Sequence, residues 1–290
     1  YGTANSAFSH IYELDNTNKG YSYNLSIQVS KKFDFGLDLT ASYTYSKSKS
    51  VNSGSSSVAQ SNYAYNYTYQ NPNDPELGNS AYNIPHQIKA SAFYHIDYAK
   101  NWNTTIGLIY TGTSGSPYSI YYYGDLNGDG SNGNDLLYIP TDEQIDQMTF
   151  KTYTVNNKVI YTPDQQKANM KSWIARDSYL SSHRGEYYQR YQDNEPFESH
   201  FDFHLAQTYK FNVGKYVHSL QLTFDILNVG NMLNKKWGRY TSTGGSVYYS
   251  PVTYSGSGQF QFLHDDNYDM RSYSDYYSRW RGQIGLKYTF

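Results

Sequence analysis

The sequence holds 290 residues at a net charge of −2 with no cysteine. This excludes disulfides and thiolate metal sites and gives no argument for nucleic acid as a partner. Only 38% is apolar even with tyrosine counted, yet tyrosine supplies 36 residues against 13 Phe and 4 Trp, a bias that suits the boundary between lipid and water better than a soluble enzyme core.

Residues 1–20 show no alternation and read as surface loop. The opening "YGTANSAFSH" lacks an initiator Met and the basic start and apolar centre of a signal peptide, so an upstream portion is expected to be missing. Alternation begins in the segment 21–31. Tyr21, Tyr23, Leu25, Ile27 and Val29 share one face, and Ser22, Asn24, Ser26 and Gln28 share the other. A short turn at 32–35 leads to a strand at 36–46, with Leu37, Leu39, Ala41, Tyr43 and Tyr45 in phase.

After a long stretch at 46–85, the strand 86–98 aligns Ile88, Ala90, Ala92, Tyr94, Ile96 and Tyr98. A tight turn at 99–101 precedes the strand 102–113, with Trp102, Ile106, Leu108 and Tyr110. The strand 200–211 follows a second long stretch and aligns Phe201, Phe203, Leu205, Tyr209 and Phe211. The strand 217–229 aligns Leu220, Leu222, Phe224 and Ile226. The last strand, 279–290, puts Trp280, Ile284, Leu286, Tyr288 and Phe290 on an apolar face opposite Arg279, Arg281, Gln283, Lys287 and Thr289.

No Lys, Arg, Asp or Glu falls on an apolar face within these seven cores. A charge at mid-bilayer costs about 2–4 kcal/mol, whereas a soluble sheet tolerates one near its edge. Each strand has the length a tilted strand needs to cross a bilayer, and no apolar run is long enough for a transmembrane helix. Short turns alternate with long stretches at 46–85, 114–199 and 231–278, as in outer-membrane barrels. The reading is therefore all-β: a transmembrane antiparallel β-barrel with long extracellular loops, in the outer membrane of a Gram-negative bacterium, in contact with the lipid bilayer. Closed bacterial single-chain barrels use even strand counts, and an open edge cannot face lipid. Seven strands are thus expected to form the C-terminal part of a larger barrel.

Within the loops, Thr162 and Pro163 predict a helix start that runs toward Ser178, packing on the barrel rim. "GDLNGDGSNGND" spells G-x-G-x-x-G, but its three Asp would repel a pyrophosphate and no helix pattern follows. Asp125, Asn127 and Asp129 occupy positions 1, 3 and 5 of an EF-hand-like loop with Gly130 at position 6, while Leu136 stands where a bidentate Glu belongs. They form a candidate structural calcium site, with a compact Asx turn as the alternative. His95 with Asp97, and Asp202 with His204, share wet strand faces and read as lumen lining. Arg279, Arg281 and Lys287 are expected to pair across strands with Asp225. "SNYAYNYTYQNPNDPE" and "SIYYYGD" read as strands extending the barrel above the membrane, or as stacking surfaces for sugars or peptides. No nucleophile elbow, zinc-protease or Walker motif occurs, so the chain reads as no enzyme, with no cofactor beyond the candidate calcium.

Four stretches carry a family resemblance. "FDILNVGNMLNKKWG" resembles the penultimate-strand region of TonB-dependent outer-membrane transporters, and the close from Trp280 to Phe290 resembles the assembly signal read by the barrel-assembly machinery. "GDLNGDGSNGNDLLYIP" and "YLSSHRGEYYQRYQDNEPFESHFDFHLAQTY" resemble the Oar-like subgroup of Bacteroidota. The resemblance implies a barrel of about 22 strands closed by an N-terminal plug. It also implies TonB as a partner through that missing region, and transport of an extracellular solute. A surface lipoprotein is a further candidate partner. The rival readings are a structural or docking barrel without active transport, a barrel enzyme, and a soluble Tyr-rich β-sandwich.

Overall fold

The computed structural model describes residues 7–8, 11–69, 71–243 and 248–290. In chain order its elements begin with β1 (Tyr21–Lys32), β2 (Leu37–Ser50), α1 (Ala59–Ala64), β3 (Gly78–Asn79), β4 (His86–Tyr98), β5 (Trp102–Thr113) and β6 (Pro117–Tyr123). There follow α2 (Asp142–Gln147), β7 (Thr149–Phe150), β8 (Tyr153–Val155), β9 (Lys158–Tyr161), α3 (Pro163–Arg176), α4 (Ser178–Ser182) and β10 (Asp193–Asn194). The chain continues with β11 (Glu198–Val213), β12 (Tyr216–Leu227), α5 (Val229–Leu233), β13 (Thr241–Ser242) and β14 (Tyr248–Tyr254). It closes with β15 (Gln259–Gln261), β16 (Ser272–Tyr273), α6 (Asp275–Ser278) and β17 (Arg281–Thr289).

These elements form two regions. The first is an antiparallel wall in the order β1-β2-β4-β5-β11-β12-β17, with β3 pairing only the upper end of β2. All seven expected strands are present and their register is continuous. The bounds differ at the ends: β2 runs on to Ser50, β12 stops at Leu227 where α5 takes over, and the last strand begins at Arg281. Among the described residues the sheet is open, with β1 and β17 each paired on one side only.

Alternation sets which side meets lipid. Leu205 faces Phe224 across β11 and β12, and Phe224 faces Ile284 across β12 and β17, so apolar rows run unbroken over three strands. On β2 the apolar face is free of charge from Leu37 to Tyr45, and Lys47 and Lys49 then take the same face. That stretch is roughly 30 Å along the strand and, at a tilt of about 40°, close to the ~25 Å apolar band of such walls.

Aromatic rings border the band below, where Trp102 lies 4.7 Å from Tyr209 and Tyr288 packs on Phe211 and Phe290. Tyr110 with Phe201, and Tyr23 with Tyr45, border it above. Gln207 is a polar exception on this face. Its Oε1 accepts from Thr104 Oγ1 (2.7 Å) and Tyr98 OH (3.0 Å), and its Nε2 donates to Asn103 O (3.0 Å), so no group is left unmet in lipid.

The opposite face is wet. Hydroxyls pair across β1 and β2, Ser26 with Thr44 at 2.9 Å and Ser30 with Thr40 at 3.2 Å. Phe93 departs from the alternation by lying on this face, where its ring fills the space over Gly107; a Cβ there would sit 2.5 Å from the ring. The lower turns are tight. Gly214, at φ +61°, makes the two-residue reversal between β11 and β12.

The second region is built from the long loops at the upper ends of the strands. Its sheet has the order β10-β6-β14-β15-β7, with β14 parallel to β6 and β15 parallel to β7. The two loops that follow β5 and β12 therefore interleave. This region, and not the wall, holds the apolar core, in which Ile120, Leu137, Ile139, Met170, Ile174 and Phe262 are buried.

Two expectations are corrected here. "SIYYYGD" is neither a barrel extension nor an open stacking face: β6 is buried on both sides up to Tyr123. Of the "SNYAYNYTYQNPNDPE" stretch, residues 61–64 lie in α1 and the described residues that follow fold into a loop, with Tyr67 in the core. The helix after Thr162 is α3. A reciprocal Thr162–Gln165 capping box and Pro163 start it, and Asp177 stops it by capping α4. Gln166, Met170, Trp173 and Ile174 make its buried stripe, at helical spacing. That stripe packs into the loop core, with Trp173 5.6 Å from Phe262, rather than onto the barrel rim.

Candidate functional site

The functional features lie where the loop layer joins the wall. Asn228, the residue after β12, adopts φ +54° and ends the strand. Its N–H donates to Asp202 on β11 (2.7 Å), and its amide donates to Gly238 O (2.7 Å) and Ser278 O (2.8 Å). One residue, through its backbone N–H and its side chain, thus ties two wall strands to both halves of the last loop. From sequence the "LNVGN" stretch carries only a resemblance; in the structure its Asn228 makes this junction.

The layer is fastened further by Arg190, which is 95% buried. Its guanidinium donates to the carbonyls of Ser50, Val51 (2.5 Å) and Glu76 (3.3 Å) and to Asn66 Oδ1 (2.7 Å). Burial pushes it below the usual arginine value, and nearby Tyr191 and Glu76 counter that in part. Arg190 lines a cavity of about 540 Å³ together with Lys49, Tyr69, Glu76, Tyr187 and Tyr188. Tyr69 stacks on Tyr187 at 4.7 Å and donates to Glu76, a bond that with burial holds its hydroxyl up to about 12. In the layer's core, burial and Asp193 raise the Tyr188 hydroxyl well above its normal value, and Tyr188 donates to Asp193 at 2.8 Å. The cavity is thus a polar, aromatic cleft with neutral hydroxyls, two cations (Lys49 and Arg190) and the carboxylates of Glu76 and Glu186, suited to hydrogen-bonding solutes.

The wet-face pairs do not act together. His95 bonds Thr105 (3.0 Å), while Asp97 accepts from Asn103 (3.0 Å). Asp202 serves Asn228, and His204 meets Asp225 on the next strand at 2.5 Å. This corrects the expected pairing of Asp225 with the last strand. Arg279 instead pairs with Asp275 in α6, and Arg281 lies over the Tyr276 ring.

The terminal residues Ile284, Leu286, Tyr288 and Phe290 point outward from β17 on the lipid side, with Ile284 and Leu286 74% and 72% exposed. Trp280 is half-exposed just above that strand. The row expected to carry an assembly signal is thus apolar and exposed.

The 124–135 loop is closed by its own side chains. Asp125 accepts from the N–H groups of Asp129 (3.0 Å) and Gly130 (2.9 Å), and Asn127 Oδ1 also accepts from Asp129 N (2.9 Å). Asp135, on which no ligand role was placed from sequence, accepts from Leu126 N (2.6 Å) and Asn127 N (3.3 Å). Burial raises its carboxyl to about 6 despite those two bonds. Among the described residues no group of three or more His, Asp or Glu side chains is gathered for a metal.

A family model described as an outer membrane beta barrel domain matches residues 2–260. Comparison with curated proteins and with solved structures gives no match.

Proposed function

Because the chain belongs to the outer membrane beta barrel domain family, we propose that it supplies wall, extracellular layer and assembly signal to a TonB-dependent transporter of an extracellular solute. The observation that carries the reading is the open sheet. Among the described residues β1 and β17 each present an unpaired edge at membrane depth, which lipid does not tolerate, and further strands completing the wall would satisfy both. A wall of about 22 strands, which the resemblance implies, encloses a lumen wide enough to be closed by a plug. The resemblance of the "FDILNVGNMLNKKWG" stretch and of the Oar-like segments supports TonB as the coupler to the inner-membrane proton gradient, and that of the close from Trp280 to Phe290 supports the barrel-assembly machinery as the insertion partner. In this reading the loop layer and its 540 Å³ cleft meet the solute first, and no catalytic step is involved.

The test is depletion of solutes from growth medium by cells with and without the gene, each with and without a protonophore. Active transport predicts at least one solute that is taken up only when both the gene and the proton gradient are intact. The alternative, a structural or docking barrel, predicts uptake unaffected by either. It draws on the exposed aromatic residues Trp237, Tyr273, Tyr276 and Tyr277 around the last loop.

A further inference from the structure

The loop 124–135 carries three aspartates and three asparagines in twelve residues. Among the described residues, no Lys or Arg forms an ion pair with Asp125, Asp129 or Asp135. Oxygens of Asp125 and Asn127 converge on one amide, that of Asp129. The Asp129 carboxylate in turn receives the side-chain amides of Asn127 (3.2 Å) and Asn134 (2.6 Å). Two carboxylates and two amides therefore touch one another in sequence.

A separate observation points to a missing ligand. Asn134 and Asp135 are at least 98% buried, and the Oδ1 of each has no hydrogen-bond partner. Buried oxygens are rarely left unmet. The partnered oxygen of Asp135 rests on the Leu126 and Asn127 amides, so its carboxylate lies against the backbone that carries the other donors. A half-turn of the Asn134 amide exchanges its nitrogen and oxygen. That would place oxygen beside the Asp129 carboxylate, which is repulsive alone and favourable around a cation.

We propose that this loop binds a divalent cation of the calcium type through Asp125, Asn127, Asp129 and Asn134, with the buried Asp135 carboxylate neutralised by the bound charge. The donors are all oxygen, which disfavours zinc, and they are flexible and mixed, which suits calcium better than the strict octahedron of magnesium. The family membership does not bear on this inference, and it stands whether or not the barrel transports. The bound ion would fix the strap between β6 and the buried Leu136–Leu137 segment, beside a cavity of about 370 Å³ lined by Tyr65, Tyr121, Tyr123 and the loop glycines. Extracellular calcium modules work at dissociation constants on the order of 10⁻⁴–10⁻³ M, and that range is expected here.

Terbium luminescence tests it on the full chain purified in detergent and stripped with a chelator. Tyr121 borders Gly133 and serves as the sensitiser. The expected result is saturable terbium emission that calcium displaces and magnesium does not, weakened at least tenfold in affinity by Asp129→Asn. Asp125→Asn, at a half-buried position, must weaken it likewise, which covers the case in which the first variant does not fold. Asp142→Asn, an exposed acid elsewhere in the layer, must leave emission unchanged. Emission that does not saturate, or that is equal in wild type, D129N and D125N, overturns the proposal.

Discussion

The wall and the loop layer use the same apolar residue types in opposite ways. In the wall, Leu25, Ile27, Ile284 and Leu286 are turned outward and exposed; in the layer, Leu137, Ile139, Ile145 and Ile174 are fully buried. The wall gains its stability from backbone bonds closed between strands while lipid solvates its surface. The layer must instead exclude water from a packed interior, as any soluble domain does. The chain is thus two solvents' worth of protein, joined at Asn228 and Arg190.

That contrast predicts unequal responses to substitution. Trp173→Ala should open a cavity in the layer and cost about 3–5 kcal/mol. The loss would appear as protease sensitivity of the loops, while the strands keep their heat-resistant fold in detergent. Truncation of Phe224 on the lipid face leaves no cavity, so a comparable loss there would break the comparison. Leu222→Arg reverses the emphasis: at mid-wall it should cost about 2–4 kcal/mol, read as a reduced yield of folded barrel in bilayers. The loops of the folded fraction should stay protease-resistant.

Gly107→Ala probes the wet face, where the added carbon meets the Phe93 ring. A cost of about 1–3 kcal/mol is expected in thermal unfolding, and Phe93→Leu in the same chain should recover most of it. The smallest effect is that of pH on the layer. Asp135 has a folded pKa raised to about 6, so the native state binds more protons than the unfolded chain between roughly pH 4 and 6. Its contribution to stability is therefore greatest at the acid side of that window and is lost as pH rises through 6. In chelator, wild type should gain about 1 kcal/mol from pH 7 to pH 5 relative to Asp135→Asn, measured by loop melting.

The sequence revealed the wall better than the layer for a physical reason. A strand with lipid on one side and water on the other writes a period of two, and Tyr21–Val29 or Leu220–Ile226 can be read directly. β6, buried on both faces, writes no period, so "SIYYYGD" looked like a surface. The pairing of β6 with β14, more than a hundred residues away, left no local trace either. α3 was visible because its signals are local: Thr162, Pro163 and a stripe at helical spacing. Of the candidate sites, the outward row at the terminus followed from alternation. The buried Asp135 and Asn134 oxygens and the Arg190 clamp depend on tertiary enclosure, which spacing does not encode.

The central claim is that Leu220, Leu222 and Phe224 face hydrocarbon while Gln221, Thr223 and Asp225 do not. The natural chain has no cysteine, so single cysteines at these six positions can carry a fluorophore without background. In bilayers, quenching by brominated lipid should alternate with quenching by aqueous iodide, residue by residue, and a label at Leu180 in the layer should be insensitive to the lipid. Absence of that alternation along β12, or lipid quenching at Leu180, would contradict the account.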